Sequence, residues 1–401
     1  MRSCAEMEDE VQRQIAAPTS DPKDLALLCD FREENWPSMD LVADKLLINL
    51  SSNHSTTLRA TRVCPPMRIR FGRLAMGSRH RIALNADRVI NRMIDYPRYV
   101  GSIASKYDLF HICDHSYAQL AHALPGRSVG IFCHDLDTFR CLLEPQAERR
   151  SQLFKAMARR ILSGLKAAAL VFHSTSTVRD QIERHGLIDS DRLVHAPYGI
   201  AEEFFAGGSE ELSDTTSTVL NWVDGAPFLL HVGSCIPRKR IDVLLDVLAG
   251  VRGLRSDLRL VQVGGEWSPE QRAQIRRHNL HSAILQLPRM SQARIAELYR
   301  RAALVLMPSE AEGFGLPVVE ALACGSVVVA SDIPVFREVG GAAAVYCPMG
   351  EVGSWIDSID RLMTNSALAP TFGARVAWTQ QFSWSAHARR IAEAYRDRLC
   401  P

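Results

Sequence analysis

Ser309-Glu310-Ala311-Glu312-Gly313-Phe314-Gly315-Leu316-Pro317-Val318-Val319-Glu320-Ala321-Leu322-Ala323-Cys324-Gly325 reads as a strand end, a glycine loop and a short helix. Ala303 to Met307, just before it, is an apolar run closed by Pro308, the pattern of a buried strand. Gly313 and Gly315 let the backbone turn sharply and approach a ligand closely. Pro317 suits the first helical turn, where a missing N–H costs nothing. Gly325 stands where a glycine just past a helix end belongs. The free N–H groups of such a helix start favour an anion such as phosphate.

Two carboxylates bracket that anion site, Glu312 before the loop and Glu320 early in the helix, with seven residues between them. A carboxylate accepts several hydrogen bonds, so one on each side of a phosphate pocket suits the two sugars of a nucleotide sugar. A Glu near a helix start also complements the helix dipole on its own account. The glycines and the proline weigh against that plainer reading. Residues 309–334 resemble the E-x7-E signature of the retaining GT-B glycosyltransferases of family 4, with Val327-Val328-Val329-Ala330-Ser331-Asp332-Ile333-Pro334 similar to the family's next strand and turn. The resemblance implies that Glu312 contacts the donor sugar and Glu320 the nucleotide ribose. It also implies that Gly313, Phe314, Gly315 and Leu316 offer backbone amides to the donor.

Working outward, a second anion loop follows Pro227-Phe228-Leu229-Leu230-His231-Val232-Gly233. Ser234-Cys235-Ile236-Pro237-Arg238-Lys239-Arg240 then leads into a helix over about 241–251. Clustered cations at a helix start oppose the dipole unless an anion is present. In the family this loop supplies cations to the donor diphosphate, a role that falls on Lys239. Many members carry Arg directly after the glycine; here Ser234 stands there and Arg238 supplies the charge. Strands over 258–263 and 284–287 end in Gly264-Gly265-Glu266 and Pro288-Arg289-Met290-Ser291. The resemblance implies that Pro288 and Arg289 lie where the family holds the nucleotide base, largely by backbone. No metal site stands out at these loops. Asp135 and Asp137 have D-x-D spacing but follow a strand of the first half. The resemblance thus implies no cofactor beyond a nucleoside-diphosphate sugar as co-substrate.

The first half reads as a second set of alternating strands and helices. Leu25 to Cys29 is an apolar run leading into residues 30–38, which are placed to line an acceptor site beyond a strand end. Family members commonly carry a glycine-rich loop there, and this chain does not. Ser38 is a candidate cap for a helix over 39–50. Further strands are expected around 68–71, 109–113, 128–133 and 169–173, with helical stretches over 86–94 and 153–168. His115 and Tyr117 follow one strand end as acceptor-site candidates, with capping or core roles equally open. His134-Asp135 follows another. It resembles the position from which a family His faces the donor sugar across the cleft, so the catalytic set is His134, Glu312, Arg238 and Lys239. Asp135 either orients that imidazole or contacts the acceptor.

Composition bounds the rest. A chain of 401 residues suits two domains, and 47% hydrophobic with 23% charged residues is ordinary for a folded protein in water. No uncharged run reaches the roughly 18 residues of a membrane-spanning helix. Glu6, Glu8, Asp9 and Glu10 are unlike a signal peptide. Ten scattered Cys without C-x-x-C spacing read as reduced thiols, consistent with a cytoplasmic setting. Residues 59–106 hold ten Arg and one Lys against Asp87 and Asp95, a net +9 that leaves −7 for the remainder. Such asymmetry suits an anionic partner: a membrane surface, met peripherally at its inner face, or a lipid-linked phosphate. Solvated, salt-bridged helix faces account for it equally well. Few interleaved aromatics speak against nucleic acid.

The alternation of strands and helices supports an α/β chain of two doubly wound, Rossmann-like domains. The resemblance adds a GT-B arrangement about a central cleft, with a C-terminal helix crossing back to the first domain. The expected divisions are a flexible arm over 1–22, an acceptor domain over 23–205 joined by 382–401, a linker over 206–225 rich in Gly, Ser, Thr and Asp, and a donor domain over 226–381. The implied activity is retaining transfer of a hexosyl group from a UDP- or GDP-sugar to a saccharide or lipid-linked acceptor, as in cell-surface polysaccharide or glycolipid synthesis. A sugar-nucleotide epimerase, or a nucleotide-sugar-binding protein without turnover, is the alternative.

Overall fold

The computed structural model describes residues 21–72, 78–205, 207 and 213–399. The arm expected over the first residues therefore lies outside the described residues up to position 20. The chain divides into two compact units. The first gathers the described residues up to His173, Gln181–Ala196 and those from Ser385 onward; the second gathers Ser174–Asp180 and Pro197–Trp384.

In the first unit six parallel strands, β1 (Lys23–Leu28), β2 (Leu58–Val63), β3 (Leu109–Ile112), β4 (Val129–Cys133), β5 (Leu170–His173) and β6 (Leu193–His195), lie in the order β2-β1-β3-β4-β5-β6. The interior strands are buried on both faces, as near-continuous apolar runs in a parallel sheet require. The chain runs outward from β1 to β2 and then returns to the other side of β1 as β3, so the sheet reverses between β1 and β3. Trp384–Leu399 closes the sequence as a helix. Its Tyr395 hydroxyl meets His111 Nδ1 at 2.9 Å and donates to the Phe110 carbonyl at 3.1 Å. A side chain at Gly130 would collide with that hydroxyl at 2.3 Å, so this glycine makes the seat for Tyr395.

In the second unit β7 (Phe228–Gly233), β8 (Arg259–Gly264), β9 (Ile284–Leu287), β10 (Leu304–Met307), β11 (Val328–Ser331) and β12 (Val345–Cys347) form a second parallel sheet, ordered β12-β11-β10-β7-β8-β9. It reverses between β7 and β10. Its core joins Leu229, Leu260 and Leu306 of the sheet to Leu244, Leu248 and Val251 of the helix Ile241–Leu254 and to Trp355 and Ile359 of the helix Val352–Thr364.

Three local expectations change. No strand forms over 68–71. The N–H groups of Arg70, Phe71 and Gly72 are taken by the buried Asp87 carboxylate and that of Arg68 by Asn91, so the segment is a loop held to the helix Ser78–Ile90 and its continuation. The edge strand is β2 instead. The helix expected over 39–50 runs Pro37–Asn53 with Trp36 at its cap position. Ser38 lies inside the first turn and does not cap it, since Pro37 already fixes the start. The stretch expected as a linker over 206–225 carries a helix, Asp214–Val223, and the division between units falls at Ala196/Pro197. Ser213 caps that helix through Thr216 N at 3.3 Å, and Glu297 accepts from Ser213 Oγ at 2.8 Å and from Thr216 Oγ1. Ser, Thr and Asp mark loops and helix starts alike, which is why composition misread the stretch. Residues 206 and 208–212 of it lie outside the described residues.

Among the described residues the eight cysteines are free. Among the same residues no helix is long and apolar enough to cross a membrane.

Candidate active site

The second sheet reverses between β7 and β10, and a reversal in an open parallel sheet leaves a crevice at the strands' carboxyl ends. The loops after β7 and β10 meet there. Glu310 N donates to the Arg238 carbonyl at 2.9 Å, locking one loop to the other. Glu312 is buried between the two cations of the first loop: Lys239 Nζ lies 2.5 Å from Oε1 and Arg238 Nη1 2.8 Å from Oε2. Burial alone would raise the Glu312 carboxyl; Lys239 and Arg238 outweigh it and hold the group below the usual range. Lys239 is itself buried, while Arg238 keeps about a third of its side chain exposed. The cations expected to serve a diphosphate and the carboxylate expected to serve a sugar thus form one ion triad.

Gly315, at φ +91°, precedes the helix Leu316–Ala323, and a side chain there would strike the Phe336 ring at 2.8 Å. Pro317 sits in the first turn and Gly325, at φ +76°, follows the Cys324 cap. Phe314 is buried. Its ring packs edge-on against Tyr198 at 5.1 Å and Phe382 at 5.7 Å, so this residue offers the loop its backbone and not its ring. Glu320 lies one turn into the helix, buried against Tyr299, and burial pushes its carboxyl up to about 8. One carboxylate of the pair is therefore charged and compensated, and the other is protonated at neutral pH.

The loop positions are fixed backbone to backbone. Gly265 N donates to the Gly233 carbonyl at 3.2 Å, and a side chain at Gly264, whose φ is +128°, would meet that same oxygen at 2.5 Å. A side chain at Gly265 would meet Cys235 N at 2.4 Å, hard against Ser234. Two glutamines on the strands complete the brace. Gln262 Nε2 donates to the Gly233 carbonyl at 2.9 Å, and Gln286 Nε2 donates to the Gly265 carbonyl at 2.7 Å and to Gln262 Oε1 at 3.2 Å. Sequence reading missed both glutamines, and missed His231. That imidazole is fully buried beneath the triad, neither ring nitrogen has a hydrogen-bond partner, and burial with Lys239 nearby depresses it to about 3. A polar side chain in the middle of an otherwise apolar strand was the one available signal. Pro288 and Arg289 are exposed at the end of the edge strand β9, two strands from β7, and are not brought into the triad.

His134 belongs to the first unit. It follows β4, stacks on Phe132 at 5.0 Å, and its Nε2 donates to the Cys113 carbonyl at 2.8 Å. Burial and His115 lower the imidazole, against the pull of Asp114 and Asp135. Tyr117 is a core residue: its hydroxyl donates to Glu34 at 2.9 Å and accepts from Phe31 N at 3.2 Å, with Arg92 over its ring at 4.1 Å. His115 accepts from His134 N at Nδ1, 3.3 Å away.

Residues 213–377 match the family model of glycosyl transferases group 1. A D-inositol 3-phosphate glycosyltransferase from Acidothermus cellulolyticus is 29% identical over 252 residues, which are 58% of this chain and 54% of that relative. The chain thus spans about half the length of the curated relatives it matches first. Among solved structures, a sucrose-phosphate synthase from Thermosynechococcus elongatus superposes with a TM-score of 0.71 at 18% identity over 93% of this chain and 98% of that one. Anabaena HepE in complex with UDP and glucose does so with a TM-score of 0.68 at 18% identity over 93% and 99%. At that identity the two structures speak to fold. The stretch 213–377 is thus similar to the glycosyl transferases group 1, and the fold of the chain is the two-domain α/β fold of the GT-B glycosyltransferases.

Proposed function

We propose that this protein is a retaining glycosyltransferase of family 4 that moves a hexosyl group from a UDP- or GDP-sugar to a saccharide or lipid-linked acceptor. The observation that carries this reading is the buried triad of Glu312, Arg238 and Lys239 at the reversal of the second sheet. Two cations at a glycine-braced loop, beside the N–H groups of a helix start, suit a diphosphate leaving group. In this reading they supply its charge compensation without a metal. Glu312 is released from them to accept from sugar hydroxyls as the diphosphate takes its place. Glu320, protonated at neutral pH, meets the ribose. HepE carries UDP and glucose in its complex, which supports a uridine donor here by analogy.

The test is thermal melting with UDP, GDP, ADP and dTDP and their common sugars. A ligand at about 100 times its dissociation constant stabilises by about 2.7 kcal/mol. The expected result is a shift with one base, lost in Glu320→Ala, followed by sugar transfer once acceptors are supplied. No shift with any of them overturns the proposal. Conversion of the donor alone, with no acceptor, shows an epimerase instead.

We also propose that the basic segment meets an anionic membrane. Arg59, Arg62, Arg70 and Arg92 are held by Asp24, Asp40 and Asp44, Asp95 and Glu34. Arg68, Arg88 and Arg98 are exposed, and so are Ile69, Phe71, Ile82 and Val89. Apolar side chains beside cations suit a headgroup surface. Sedimentation with phosphatidylserine vesicles checks it: binding that falls with added salt is expected, and binding absent at low salt refutes it.

A further inference from the structure

We infer that the carboxyl edge of the first sheet binds the hydroxyl groups of an uncharged sugar and disfavours a phosphorylated one, with Asp30 and Asp114 setting that choice. The inference rests on the transferase reading and narrows its acceptor. The first sheet reverses between β1 and β3, and this is where a parallel sheet opens its crevice. Asp30 stands two residues beyond the end of β1 and Asp114 two residues beyond the end of β3. Both residues are buried, 6% and 8% exposed, yet the crevice leaves polar atoms without partners. Asp30 Oδ2 has no hydrogen-bond partner, and neither has His115 Nε2, which stands 3.6 Å from Asp135 Oδ1. His115 is 3% exposed. Two inward-facing atoms of different chemistry, a carboxyl oxygen and an imidazole nitrogen, mark a place where a ligand's polar groups complete the set.

The charge around them selects the ligand. Asp114 accepts from Ser116 N at 2.7 Å and from Ser116 Oγ at 2.8 Å. Burial and the neighbouring Asp114 raise the Asp30 carboxyl well above its ordinary range, whereas His115, His134 and the Ser116 amide overcome burial and hold Asp114 low. Of the two neighbouring carboxyls, Asp30 is therefore the one that holds a proton more readily and Asp114 the one that ionises first. The two carboxyls are joined by a side-chain hydrogen bond, so what the pair offers a ligand is acceptors, which a sugar hydroxyl meets as a donor. A phosphate only accepts, and here it would meet Asp114, Asp135 and Glu34. The cation packed among them, Arg92, is already engaged by Glu34 at 3.4 Å, by the Ser116 carbonyl at 2.7 Å and by the Tyr117 ring.

The experiment titrates the full chain, with its best-stabilising nucleotide bound, against methyl glycosides of glucose, mannose, galactose and N-acetylglucosamine and their 6-phosphates, by saturation-transfer NMR. At least one uncharged glycoside is expected to bind, with its 6-phosphate at least about tenfold weaker. Asp114→Asn and Asp30→Asn are each expected to shrink that ratio severalfold. A variant that is merely damaged lowers both affinities and leaves the ratio alone, so the ratio is the readout. A 6-phosphate that binds as tightly as its parent, a ratio unmoved in both variants, or no glycoside bound while nucleotide binds overturns the inference. The nucleotide melting shift, taken on the same samples, reports separately on the transferase reading.

Discussion

The two sheets share one plan and differ in what their reversals hold. In the second unit the reversal sets two cations around one buried carboxylate, and a second buried carboxylate nearby is neutral. In the first unit it gathers Asp30, Glu34 and Asp114 around the Arg92 guanidinium, with Asp135 beside His115. The topology fixes where ligands go, and side-chain charge decides which. One crevice suits an anion, the other a partner that brings donors. A shared fold therefore says little about ligand until the charges at each reversal are counted.

The comparison breaks first at the triad. Glu312→Ala leaves Lys239 and Arg238 without their counter-charge, one of them buried, which costs about 3 kcal/mol or more in stability. Glu312→Ala and Lys239→Ala each lower sugar transfer at least about tenfold, some 1.4 kcal/mol of barrier. Denaturant unfolding and steady-state transfer measure the two effects, and wild-type values in both variants remove the triad from the site.

The two glutamates should then titrate with opposite sign. Glu320 is raised to about 8 from an ordinary 4.5, so the folded state keeps a proton that the unfolded chain has released. Its effect is a stability that falls between about pH 4.5 and 8, by about 1.4 kcal/mol per pH unit at most. Glu320→Gln is expected to remove that fall, gaining on wild type as pH rises. Glu312 is held low, so its contribution is present above its unfolded value and lost as pH falls through the folded one. Melting curves of wild type, Glu320→Gln and Glu312→Gln, carried from about pH 8 to below about pH 4.5, decide the signs. Equal slopes in wild type and Glu320→Gln would show that the buried carboxyl is not protonated.

Smaller effects sharpen the picture. Gly264→Ala forces a side chain against the Gly233 carbonyl at a left-handed φ and is expected to cost about 2 kcal/mol, along with nucleotide binding. Arg59→Ala, at an exposed pair with Asp24, should change stability by less than about 0.5 kcal/mol.

Much of the second unit was legible because its site is local. Glu312, Gly315, Pro317 and Glu320 fall within nine residues, and each type has a conformational or charge reason to be there. Most strands of both sheets were readable as apolar runs closed by glycine, proline or polar residues; the edge strands β2 and β12 were not. What escaped is non-local or inverted. Asp30 and Asp114 are 84 positions apart, and no spacing announces that β1 and β3 are neighbours. Gln262 and His231 sit inside strands, where periodicity sees only an interruption. The helix Asp214–Val223 hid in a composition that serves loops equally well. The strand expected over 68–71 failed because one buried carboxylate, Asp87, claims three consecutive amides that a sheet would have paired.

On the proposed reading the triad also makes donor binding an exchange. Arg238 and Lys239 share the one counter-charge of Glu312, so an entering diphosphate would swap one bound anion for another and displace few mobile ions from solution. Affinity for the nucleotide should then depend only weakly on ionic strength, although the group it recognises is highly charged. On that reading the carboxylate expelled in the swap would become an acceptor beside the newly bound sugar, so recognition of the phosphate and readiness for the sugar would arrive in a single event.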